Sequence, residues 1–181
     1  MEKLNSSPRL LVAGDPERWQ MGAVPGFLPA LQPVVHALLQ MQDEVFTLLQ
    51  DFPATLLWER PAGLASPAFH VQHIAGVLDR LFTYARGSSL SATQMEQLRA
   101  EGKPFDTTAS ALLEALRLMI EARLQELQEV SAESVFETRL VGRKEIPSTR
   151  FGLYVHAAEH SMRHLGQLLV TVRVLQQNTS S

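Results

Sequence analysis

Five of the six histidines of this 181-residue chain fall in two short strings, FHVQHIAG and HAAEHSMRHLGQL. Their spacing is that of metal ligands on helices. His160 and His164 stand about 40° apart around a helix and about 6 Å apart along it, so their imidazoles can reach one point. Leu153, Ala157, Leu168, Thr171 and Leu175 share an apolar stripe, with His160 and His164 in its middle and His156 at its edge. A neutral imidazole offers a lone pair at about 2.0–2.1 Å from a divalent ion, and a helix fixes two such ligands without the entropy cost of a loop. Two ligands hold an ion weakly. A third nitrogen from the first string would complete a three-histidine face with an open coordination position. That string has its apolar centre at Ile74, Leu78, Leu81 and Ala85; His70 lies nearer this centre than His73. Burial favours His70, but a flank histidine can still reach a site between two helices, so the wheel leaves both open. The competing reading is a packed, metal-free core in which the histidines are merely hydrogen-bonded. His36 falls opposite the apolar face of its own segment and reads as a solvated surface residue.

An ion held by three neutral imidazoles keeps its double charge, so it could lower the pKa of a bound water to about 7 or take up an exogenous thiolate. The chain has no cysteine, so any metal must rest on nitrogen and oxygen. No base or nucleophile stands out beside the histidines. Glu159 points to the back of its helix and Asp79 to the far side of its own, leaving Arg80, Tyr84, Tyr154 and Gln167 as pocket candidates. No Ser-His-Asp order, phosphate loop or dinucleotide fingerprint is present.

Four long helical patterns can position these groups. The first opens at Pro33 and carries Val35, Leu38, Gln42, Val45, Leu49 and Phe52 on one face, closed by Pro53. The second is bounded by Ser66 as cap, Pro67 in the first turn and Gly87 past its end. A short helix with capping-box spacing at Ser91 and Gln94 stops at Gly102, inside the connection to the third, which carries Leu112, Leu116, Met119, Ile120, Leu127 and Val130. The fourth runs from about Ser148 or Thr149 to about Gln176. Between the last two, SAESVFETRLVGRKEIPS has no helical period, with a short extended piece at VFETRLV and no convincing sheet. The fold class is therefore all-α, with a four-helix bundle the economical arrangement and connections long enough to serve as long crossover connections, so that simple up-down order is not forced. Residues 1–30, rich in proline and glycine, read as a tail or strap anchored by Trp19; 31–177 form the bundle, and 178–181 a disordered tail.

A formal net charge of −3 with scattered Lys and Arg argues against nucleic acid as a partner. No apolar run approaches the roughly 20 residues needed to span a bilayer, and no apolar leader opens the chain, so the expectation is a cytoplasmic protein without a membrane partner.

HVQHIAG on the second helix, followed downstream by HAAEHSMRHLGQL, resembles the DinB family of metal-binding four-helix bundles over residues 30–176. The resemblance implies that a divalent ion, nickel or zinc above others, is held by one histidine of the second helix and two of the fourth. Position by position these are His73, His160 and His164, with His70 and His156 as neighbouring pocket residues. It also implies a homodimer and a metal-dependent enzyme acting on a small-molecule substrate. The reaction would be of the thiol-dependent transferase or hydrolase type, with a low-molecular-weight thiol as a candidate cosubstrate. The alternative is a non-catalytic metal-binding structural or dimeric interaction module.

Overall fold

The computed structural model describes residues 7–179. Proline in the first turn and a run of good helix formers give α1, Gln32–Leu49. Ser66 caps α2, Pro67–Ala85, by accepting from the Phe69 amide, and Gly87, at φ +79°, lets the chain leave that helix in the left-handed region. The reciprocal Ser91 and Gln94 capping box opens α3, Ala92–Ala100, and Thr108 caps α4, Ala109–Gln128. The last helix, α5, covers Arg150–Thr179. The protein is thus mostly helical among the described residues, as the periodicity predicts.

The four long helices pack in pairs: α2 lies against α5 and α4, and α1 against α5 and α4. Leu38, Val45 and Leu49 from α1, Ile74, Leu78 and Phe82 from α2, Leu116, Ile120 and Leu124 from α4, and Leu168 and Val172 from α5 are all fully buried between them. Tyr154 joins this core because its hydroxyl accepts from Arg150 Nε at 2.9 Å, so no buried oxygen is stranded. α3 is different: it buries no residue and lies on α2 through polar contacts.

Four expectations need correction. The segment before α5 does contain a sheet, an antiparallel hairpin of β1, Thr138–Val141, and β2, Ile146–Thr149, with Val141 opposite Ile146. Its strands are short and largely exposed, so they lack the alternating apolar signature that marks a strand in sequence. The hairpin is tied to the body where Arg139 Nε donates to the Ala85 carbonyl at 2.7 Å, at the end of α2. Trp19 is not the anchor of the N-terminal segment: it is 62% exposed, its indole N–H donating only to Glu17. Arg18 is the anchor, paired through Nε and Nη2 with both oxygens of the fully buried Asp43, which also accepts from the backbone and side chain of Arg9. His36 is half-buried rather than solvated, with Nε2 3.0 Å from the Gly22 carbonyl. At the other end α5 includes Asn178 and Thr179, the first half of the expected tail, while residues 180 and 181 lie outside the described residues.

No helix among the described residues is long and apolar enough to cross a membrane.

Candidate metal centre

The first half of α2 and the middle of α5 face each other, and four histidines meet there. His73 Nε2 and His160 Nε2 stand 3.0 Å apart. The ring of His164 lies 4.4 Å from that of His73 and 4.7 Å from that of His160, centroid to centroid. One ligand atom from each of His73, His160 and His164 can be chosen so that all lie within 4.8 Å of one another. Three nitrogens sharing an ion at about 2.0–2.1 Å stand roughly 3–3.5 Å apart, so small ring rotations would suffice to place one.

The electrostatics fit an ion as well. Burial, reinforced by His73, His160, His70 and Arg163, pushes the pKa of His164 down to about 4. Burial and the neighbouring charges of His73, His156 and Arg163 also lower His160. Rings held neutral in this way present lone pairs, the form a metal requires. His160 Nδ1 is buried without a hydrogen-bond partner among the described residues.

His70 is the deepest of the four, 3% exposed, as the wheel predicts. Depth does not put it in the three-histidine cluster. Its Nδ1 sits 3.1 Å from His164 Nδ1, so it props His164 from behind, and burial with His73 nearby takes its pKa down to about 4. Where Nδ1 of His164 carries the proton of that contact, Nε2 is the nitrogen left for an ion. His156 is exposed and binds Glu159 Oε1 at 2.7 Å; with Glu159 and His160 it forms a second, more open group of ligand atoms.

Two residues that the sequence did not mark as a unit stand behind His73. Its Nδ1 is 2.6 Å from Glu101 Oε2, and Arg80 Nη1 donates to Glu101 Oε1 at 2.5 Å. Glu101 is 9% exposed along its side chain. Burial alone would raise its pKa, but hydrogen bonds from His73 and Arg80 and the Arg80 charge outweigh that and hold it below the usual carboxylate range. Glu101 follows α3 directly, out of any period shared with α2, so only the fold could reveal it. Phe69 was more legible, four residues before His73; its ring stacks on that imidazole at 5.2 Å and 12°.

A cleft of about 590 Å³, lined by Leu64, Ala65, His70, Arg163, Gly166, Gln167, Val170 and Thr171, opens beside His70. Of the pocket candidates, Tyr154 lies in the core; Asp79, on the far side of α2, accepts from Gln94 Nε2 at 2.7 Å. Tyr84 lines a separate hollow near the hairpin, and Glu159 pairs with His156 and Arg163 at the surface.

No curated protein matches the chain. A family model described as the DinB superfamily matches residues 37–168, well over half of its length and including α2, α5 up to Leu168 and all four clustered histidines. With that match added to the helical fold and the paired histidine helices, the chain belongs to the DinB superfamily.

Proposed function

We propose that α1, α2, α4 and α5 form a four-helix bundle of DinB type. In this reading His73, His160 and His164 hold a divalent ion, nickel or zinc, for a metal-dependent reaction on a small molecule. The convergence of imidazoles from α2 and α5, 87 residues apart in the chain, is the observation that carries this reading. A bound ion would supply a Lewis acid able to polarise a water or the sulfur of a small thiol, which points to thiol-dependent transfer or hydrolysis. The residues of the chain then divide the work. The three histidines hold the ion with neutral nitrogens. His70 supports His164 and forms one wall of the cleft. Leu64, Ala65 and Val170 offer an apolar surface for the body of a substrate, with Gln167 and Arg163 beside it for polar groups. The family's homodimer is part of the same proposal, and sedimentation of the purified chain tests it.

Metal analysis tests the core of the reading. The wild-type chain is expected to take up one equivalent of zinc or nickel, and His73→Ala, His160→Ala and His164→Ala to weaken uptake at least tenfold each. Equal metal content in all four proteins would refute it. In the cobalt form, a ligand field that shifts on addition of a small thiol supports transferase chemistry. A field indifferent to thiols and water, in a protein whose melting temperature falls when the metal is removed, marks the ion as a structural staple between two helices.

A further inference from the structure

Glu101 is a largely buried carboxylate, 9% exposed along its side chain, on a segment that packing holds only lightly. α3 buries no side chain of its own. Polar bonds attach the segment to α2: Gln94 to Asp79 and Thr83, the Gly102 amide to Gln72, and Glu101 to His73 and Arg80. Taking a carboxylate out of water is costly unless charged or hydrogen-bonded partners meet both oxygens, and here each oxygen has one. The backbone of α2 also makes room for the pair. A Cβ on Gly76 would run into Glu101 Oε1 and stand 2.6 Å from Arg80 Nη1, so the glycine leaves the space in which they meet.

An ionised carboxylate only accepts, so the proton between Glu101 and His73 rests on Nδ1 of the imidazole. The lone pair of that ring is then on Nε2, the atom facing His160. Free histidine favours the opposite tautomer, with its proton on Nε2, where it would block a ligand. We propose that Glu101, clamped by Arg80, is the positioning residue of the metal centre, fixing His73 as the Nδ1–H tautomer with Nε2 turned to the ion. This rests on the metal-holding role proposed above for His73, and it makes α3 the element that completes the site. Phe69, stacked on the His73 ring, limits tilt but carries no proton information.

The test has one readout that needs no metal and one that does. Long-range 1H–15N correlations of the metal-free chain at pH 8 report which nitrogen of His73 carries the proton. Chelator competition gives zinc affinity. We expect Nδ1–H in the wild type, conversion to Nε2–H in Glu101→Gln, and zinc affinity about 10- to 100-fold weaker in that variant. Gly76→Ala keeps every polar group and favours a helix, so it guards against simple misfolding; it should displace the pair and move both readouts the same way. If Glu101 merely anchors α3, Glu101→Gln lowers the melting temperature but leaves the His73 tautomer unchanged, which overturns the inference. So does a changed tautomer with zinc affinity within twofold of the wild type. A wild-type chain that binds no zinc refutes the metal reading instead. The tautomer comparison then still decides whether Glu101 positions His73.

Discussion

Burying an imidazole favours its neutral form, because the protonated ring loses the solvation that water gives a charge. His70 and His164 are both held near pKa 4 against an ordinary 6.5, burial being the larger cause in each. Between those values the unfolded chain binds protons that the folded rings refuse, so folding stability falls as pH drops from about 6.5 to 4. Above this window both states leave the rings neutral, and below it both protonate them. Urea titrations of metal-free protein at pH 7.5, 5.5 and 4.5 should therefore show declining midpoints. A double variant, His70→Gln with His164→Gln, should flatten that decline. The same residues show what a helical wheel can read. It ranks His70 as deeper than His73, and the structure agrees. It cannot see that His70 spends its Nδ1 on His164 while the shallower His73 faces His160, because partner choice depends on how two helices are set against each other.

Elements differ in how far their own residues announce them. α2 and α3 carry their caps in sequence, Ser66 with Pro67 and Ser91 with Gln94, and both begin where those caps place them. The hairpin carries no comparable mark; backbone pairing between two exposed four-residue strands makes it. The residues that fix the N-terminal segment were not legible. A large indole suggests burial, yet Arg18 and Arg9 do the holding by converging on Asp43, whose side chain is fully buried. Asp43 sits in α1 within the polar run Gln42, Asp43, Glu44, so nothing local sets it apart as a buried partner. Asp43→Ala strands two guanidinium groups and is expected to cost about 3 kcal/mol, measured by urea unfolding. The loss should be accompanied by faster proteolysis within residues 8–26, where the strap would come away from α1.

At the scale of the whole molecule, the candidate centre joins α2 to α5, the helix pair with the most extensive mutual packing. A ligand that binds only the folded chain stabilises it by mass action, by about 2.7 kcal/mol at a free concentration 100 times its dissociation constant. Zinc is therefore expected to raise the melting temperature in proportion to the logarithm of its free concentration, and a chelator to reverse the rise. The rise should need at least tenfold more zinc in His160→Ala, which removes the ligand that α5 sets against His73 and leaves the residues of α2 unchanged. Scanning calorimetry of the two proteins side by side checks this.

By itself, the amino-acid order determined the four long helices, the short one between them, the caps of α2 and α3, and the presence of histidines at ligand spacing. Each of these depends on contacts within a few residues, which helix geometry converts directly into a pattern. The wheel left His70 and His73 open and the family resemblance pointed to His73; tertiary structure brought that ring to His160, set Glu101 and Arg80 behind it, and gave Asp43 two arginines. Those pairings join residues 21 to 87 positions apart. They are set by the angle and register at which separate helices and the chain's own strap come to rest, and no local periodicity encodes either.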